Sequence, residues 1–205
     1  MENISVKPPA RSAVRKKAAP RSQLDRGNWI ESAIDVLARE GIAGLRVEVV
    51  AKRCGVTKGS FYWHFKDRQD LLAAVLEHWR EGRIRDIEKT TSFTPGMERS
   101  QLHYAIEVYG ASRNRKGMSI ELAVRDWARH DPQAAAVVEA VDLYRLDCTR
   151  KLFVACGLSE KEAKSRSLML YAYVFGQSLM IYDHFDDNLG ALRDWIADRI
   201  VLPTP

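Results

Sequence analysis

Beyond Leu24, apolar positions recur three and four residues apart, and no stretch alternates apolar and polar residues as a half-buried strand does. That period predicts helices. The first runs from about residue 23 to 40 and sets Ile30, Ala33, Ile34 and Leu37 on one face. Gly41 follows where a helix stop calls for a left-handed residue. A short helix over about 46–53 carries Val47, Val50 and Ala51 on its apolar side. "CGV" at 54–56 reads as a tight turn, with Gly55 supplying the permissive backbone. Thr57 stands as the N-cap of a second short helix reaching about His64. Asp67 then caps a long helix whose buried side is Leu71, Leu72, Val75, Leu76 and Trp79.

"TTSFTPG" at 90–96 has no periodicity and marks the clearest interior break. Past it the pattern predicts helices at about 97–112, 118–129, 132–156, 160–183 and 188–201, parted by "HDP" and "GLSEKE". The whole is an all-α fold of about nine helices. Ser159 and Glu162 have capping-box spacing. Residues 168–182, "LMLYAYVFGQSLMIY", are apolar nearly all round, which demands cover on more than one side. One cover is the chain's own bundle and the other a second subunit; the alternative is a central helix of a monomeric bundle. Ala172 and Gly176, four apart, permit close helix approach. With Phe175, Leu179 and, from the last helix, Trp195 and Ile196, they form the expected dimer interface.

Composition refines this without changing it. A chain of 205 residues with 46% hydrophobic and 9% aromatic residues can bury a sizeable core, which excludes global disorder. The net charge of +5 sits in residues 1–22, where six basic side chains face one acid; the rest of the chain is balanced. That Pro- and Ala-rich segment has no apolar face and is expected to be a disordered basic arm, either a solubilising or transit-like leader or a sequence-independent phosphate binder. Three scattered cysteines (Cys54, Cys148, Cys156) fit a reducing compartment and offer no disulfide framework or metal spacing. The N-terminus lacks the apolar stretch of a secretory signal, and the longest apolar run, 168–176, is about half of a membrane span. A soluble, cytoplasmic protein with no membrane partner is expected.

The densest chemistry lies at 55–68, "GVTKGSFYWHFKDR", with four aromatics in five positions (Phe61, Tyr62, Trp63, Phe65) among cations. Two short helices about a glycine turn, after a longer first helix, make a helix-turn-helix, whose second helix enters the DNA major groove. Such a helix needs hydrogen-bond donors and flat groups on its outer face, for base edges and thymine methyls. Thr57, Lys58, Ser60, Tyr62, Trp63 and His64 supply them, and Gly59 leaves room for backbone to approach DNA. Phe61 and Phe65, four apart, face inward toward Val50, Val56 and Leu71. So the rings divide into an inner pair and an outer pair.

The run "RVEVVAKRCGVTKGSFYWHFKDRQDLL", preceded by "WIESAIDVLAREGIAGL", resembles the TetR family of one-component transcriptional regulators. The resemblance is strong over about 24–80 and rests on helix number beyond. It implies that Thr57, Lys58, Ser60, Tyr62, Trp63 and His64 touch bases or phosphates, and that Arg68 makes a phosphate contact. It departs at Arg46, where the family has a capping Thr; arginine accepts no N–H bond but can bind phosphate or guanine. It also implies a four-helix dimer interface and a small ligand among Tyr104, Tyr109, Trp127, Tyr144 and Phe153, although aromatics at helical spacing also serve as plain core. The expected organisation is then a disordered arm over 1–22, a DNA-binding domain over 23–68, a connecting helix over 69–90, and a ligand-binding and dimerisation domain over 95–205.

No GxxxxGK[ST], GxSxG, HExxH or paired CxxC occurs, and no two histidines stand four apart. No metal, cofactor or catalytic residue is expected, and no enzymatic activity. The expectation is a ligand-responsive repressor that binds double-stranded DNA at a palindromic operator as a homodimer. The alternatives are a sequence-tolerant architectural DNA protein and, behind it, an all-helical enzyme.

Overall fold

The computed structural model describes residues 25–110 and 115–201; the basic arm at 1–22 lies outside them. Every regular element among the described residues is a helix: α1 Arg26–Gly44, α2 Val47–Cys54, α3 Lys58–Phe61, α4 Arg68–Thr91, α5 Glu98–Gly110, α6 Arg115–Ala128, α7 Pro132–Ala155, α8 Glu160–Leu179 and α9 Leu189–Val201.

The helix ends follow side-chain chemistry. Asp25 opens α1 in a capping box with Asn28, two residues after the expected start. Gly41 takes φ 66°, ψ −171° and breaks the helical path where a stop was expected, and one further turn carries α1 to Gly44. Gly55 adopts the left-handed conformation (φ 69°, ψ 27°) that closes α2, its N–H donating to Ala51 and Lys52 carbonyls. Asp67 caps α4 by accepting from the Asp70 N–H. Asp131 caps α7 by accepting from Gln133 and Ala134 N–H groups, and Trp127 Nε1 donates to its other oxygen at 3.1 Å. These donors hold the Asp131 carboxyl below its ordinary value, the Ala134 N–H most of all. At α8 only half of the anticipated capping box forms. Ser159 accepts from the Glu162 N–H, while the Glu162 carboxylate turns to Arg166 Nε at 2.9 Å.

Two apolar clusters fill the interior. The first joins α1–α4 to α6 and the N-terminal half of α7, through Trp29, Leu37, Val50, Phe61, Leu71, Trp79, Val124, Trp127 and Val141. The second joins α5, the C-terminal half of α7, α8 and α9, through Leu102, Leu152, Phe153, Leu170, Val174 and Ile200. Helix α7 belongs to both. Where the clusters meet, the interior turns ionic: Glu121 is 3% and Arg145 2% exposed. Arg125 donates to Glu121 and to both Asp142 oxygens at 2.6–3.0 Å, and Arg145 Nη2 reaches Glu121 at 3.2 Å. Charges so far from water persist only when paired on several sides, as these are.

Candidate nucleic-acid interface

Local sequence builds the interface from its buried side outward. Phe61 and Phe65, one helical turn apart, stack at 5.2 Å between ring centroids and are almost wholly enclosed. Trp29 of α1 meets Phe61 edge-on at 5.5 Å, and Arg26 covers Phe65 with its guanidinium 4.7 Å from the ring centre. The inner ring pair is thus clamped by α1 from two sides. Val50, Ala51 and Leu71 are buried in the same cluster and Val56 packs on it half-buried, as the sequence pattern required.

The outer pair stands free of that core. Trp63 is 76% and Tyr62 56% exposed, Tyr62 resting an edge on Phe61 at 5.2 Å. Regular helix ends at Phe61, three residues short of the expected His64. Residues 62–64 continue in tighter turns, with the N–H groups of Trp63 and His64 donating three residues back, to Ser60 and Phe61. This tightening follows from Phe65 having to reach the core: its own N–H still donates to the Phe61 carbonyl at 3.0 Å. Thr57 and Lys58 are exposed, Ser60 and His64 half-buried. Thr57 occupies the N-cap position, but its hydroxyl makes no capping bond. Its carbonyl instead accepts from the Ser60 N–H and Oγ, at 3.1 and 2.8 Å. Gly59 is exposed, and an added Cβ would meet only Thr57 Oγ1, at 3.9 Å. An added side chain there would meet no close contact among the described residues.

Lys58 forms an ion pair with Glu48 of α2, which raises the pKa of the lysine and lowers that of the carboxyl. Arg46 is exposed at the N-cap of α2 and makes no side-chain cap bond, in keeping with a side chain that only donates. Arg68 is placed differently from a free phosphate ligand. Its Nε donates to the Leu45 carbonyl at 2.6 Å and its Nη2 to Ile42 at 3.3 Å. It ties α4 to the α1–α2 turn, because α1 ends there with carbonyls that need donors. Sequence reasoning missed Arg26 and Asp70, which pair at 3.0 Å while Asp70 also accepts from the Lys66 N–H. Together they lock the α3–α4 turn against α1. Only the acidic first turn of α4 hinted at such a partner.

The expected ligand aromatics are not gathered around one cavity. Trp127 is buried in the first cluster and Phe153 in the second. Tyr144 packs on the first cluster and donates its hydroxyl to Glu88 at 3.0 Å, while Tyr104 lies exposed on α5. The side chain of Tyr109 is outside the described residues. Packing places Trp127 and Tyr144 with the first core and Phe153 in the second, the plain-core role that helical spacing also allows.

At the expected pairing face, Leu179 and Trp195 are exposed, as is Ala172, and Ile196 is half-buried. Leu168, Met169, Met180 and Phe185 add exposed apolar surface beside them. Gly176 has no atom within 4 Å of an added Cβ, so the helix face is open there. Phe175 departs from that group. It is turned toward α6 and α7, with the Arg125 guanidinium 4.2 Å and that of Arg145 5.2 Å from its ring centre. Helix α8 also ends at Leu179 rather than near 183, its C-cap Met180 having extended backbone.

Among the described residues no group of three or more His, Cys, Asp or Glu could hold a metal ion, and no helix is long and apolar enough to cross a membrane.

A family model described as "Bacterial regulatory proteins, tetR family" matches residues 30–75. The transcriptional regulator TtgR of Pseudomonas putida is 30% identical over 197 residues, covering 88% of this chain and 92% of that one. Four other curated relatives, among them the regulator SrpR of Pseudomonas putida at 33% identity over 87 residues, are matched over only 25% to 60% of their own length. Among solved structures, a TetR-family member from Streptomyces coelicolor aligns with a TM-score of 0.61 at 24% identity, over 87% of this chain and 98% of that one. The Bacillus subtilis regulator FadR, crystallised with stearoyl-CoA, aligns with a TM-score of 0.61 at 15% identity, over 87% and 99%. At such identities the two structural likenesses are likenesses of fold.

Proposed function

The chain belongs to the TetR family of bacterial regulatory proteins and is a helix-turn-helix transcriptional regulator; on that premise we propose a homodimeric repressor that binds a palindromic operator and releases it when a small molecule binds. Residues 23–68 read the operator, 69–90 connect, and 95–205 pair the two chains and take the effector, all in the cytoplasm, where a bacterial chromosome lies.

One observation carries the DNA reading: two exposed rings and several polar side chains stand on α3 and its following turn, directly above two enclosed phenylalanines. A surface needing only solubility would not expose Trp63 and Tyr62 side by side. A surface reading base pairs does, because rings contact thymine methyls while Thr57, Ser60, Lys58 and His64 bond base edges and phosphates. Arg46 adds a phosphate or guanine contact at the start of α2.

Pairing is supported by the exposed apolar face of α8 and α9. One reading helix spans few base pairs, and a two-fold pair presents two of them about 34–36 Å apart. An effector releases DNA only by as much as it favours the conformation that does not bind.

Selection of bound duplexes from a random pool at physiological salt tests this reading. Enrichment of an inverted repeat with half-sites about one helical turn apart is the expected result. No preference over scrambled duplex overturns it and favours a sequence-tolerant DNA protein. Gly176→Arg places a charged side chain on the pairing face without a clash inside the chain. It should sediment as a monomer that keeps its helical circular dichroism; persistent dimers would move the interface elsewhere.

A further inference from the structure

We propose that the cavity between α8 and α9 is a binding site for a small molecule with an apolar body and an anionic head, the head held by Arg193. It deepens the ligand-responsive reading above by naming a site and a ligand class, and it rests on that reading only for the effect on DNA.

The cavity measures about 330 Å³, within the range of pockets that enclose small organic ligands. Ala172, Gly176 and Met180 form one wall, and Leu192 and Ile196 another, with Phe185 from the connecting segment at the rim. Such a lining takes hydrocarbon or a ring and rejects a strongly hydrated molecule. Tyr104, Trp127, Tyr144 and Phe153 do not belong to it.

Its polar groups are few and unbalanced. Tyr182 accepts from Arg193 Nε at 3.2 Å and donates its own hydroxyl to Gln177 Oε1 at 3.3 Å. Tyr173 adds a further hydroxyl to the lining. The nitrogen groups beside it keep open donors. Gln177 Nε2 is shut from solvent with no hydrogen-bond partner. Arg193 has no carboxylate within 4.0 Å among the described residues, whereas Arg125, Arg145, Arg150 and Arg166 each hold one at 3.2 Å or less. A half-buried guanidinium on an apolar wall, beside an unsatisfied amide N–H, lacks a negative acceptor. A carboxylate or comparable anion at the end of an apolar body supplies it. Because the lining includes Ala172, Gly176 and Ile196 of the proposed pairing face, a second copy of the chain would close over the bound molecule.

Calorimetry on the full chain, with sodium octanoate and 1-octanol as matched probes, tests the assignment. Octanoate should bind on the order of tenfold more tightly than octanol, one charge-assisted hydrogen bond's worth of discrimination. Arg193→Leu should erase that preference while keeping octanol binding and the wild-type melt. Should Arg193→Leu fail to fold, Ala172→Trp, at an exposed position on the lining, should exclude both probes. Equal affinities for the two probes, or octanoate binding that survives in Arg193→Leu, would overturn the proposal. So would binding of neither probe together with a change in self-association of Arg193→Leu, since Arg193 would then be answering a carboxylate of the second copy. Operator affinity reads the other proposal separately. Octanoate that binds without loosening DNA keeps the site and removes it from the switch. Release by another compound, undiminished in Arg193→Leu, keeps a responsive regulator and sinks this site.

Discussion

The surface around α3 and the surface around α8–α9 both expose large apolar side chains, yet they are different surfaces. Around α3 the exposed rings alternate with donors: Tyr62 and Trp63 share a short stretch with Thr57, Lys58, Ser60 and His64. Around α8–α9 the large exposed apolar residues are Leu168, Met169, Leu179, Met180, Ile181, Phe185 and Trp195, and the cation on the cavity lining is Arg193. The interiors beneath them differ as well. Under α3 lies an apolar core with Phe61 and Phe65 at its centre, while under α8 a salt-bridge network holds Phe175 between two guanidiniums. Two adjacent exposed rings among donors suit a charged, flat-faced polymer; a broader and mostly aliphatic face suits another apolar surface. The beds differ to match: the α3 segment rests on enclosed rings, whereas α8 rests on the second apolar cluster and, at Phe175, on the ionic seam.

The comparison can be broken most forcefully at its buried anchors. Phe61→Ala should cost about 3–5 kcal/mol in a denaturant melt, because a filled aromatic site becomes a cavity beneath Tyr62 and Trp29. A loss below about 1 kcal/mol would mean that the rings beneath α3 do not anchor it. Arg145→Met should cost about 3 kcal/mol, since among the described residues Glu121 keeps Arg125 alone as a partner while remaining away from water. A neutral or stabilising result would show that the ionic seam contributes no more than a hydrophobic plug.

At the surface the two regions should separate cleanly. Trp63→Ala should weaken operator binding by about 1–3 kcal/mol and alter the melt by less than about 0.5 kcal/mol. A change in stability equal to the change in binding would make Trp63 a folding residue. The smallest effect is at a helix cap. Asp131→Ala should cost about 1 kcal/mol at neutral pH. Because the folded carboxyl is held below its unfolded value, its stabilisation is complete above the unfolded pKa and is lost as pH falls through the folded one. The difference between wild type and variant should therefore shrink in acid. A constant difference down to low pH would remove the cap's electrostatic part.

Much of this was legible along the chain, because its causes are local. Gly55 at positive φ, Asp67 and Ser159 as caps, and the inward spacing of Phe61 and Phe65 involve neighbours within about one helical turn. Where partners lie far apart in the chain, local pattern misled or stayed silent. The resemblance gives Arg68 a phosphate contact and is silent on its structural bonds, in which Nε and Nη2 donate to carbonyls 23 and 26 residues away. Phe175 sits in an apolar run that favours pairing, yet two arginines from α6 and α7 draw its ring inward.

By itself, then, the sequence determined the helices and several of their caps, since helix periodicity and capping act through residues close in the chain. Tertiary structure alone decided which cations are already occupied, which rings serve which core, and that Arg193 and Gln177 keep open donors beside one cavity. Those outcomes depend on which helices come to lie side by side, and a hydrogen bond or ring contact between distant residues leaves no periodic trace in either of them.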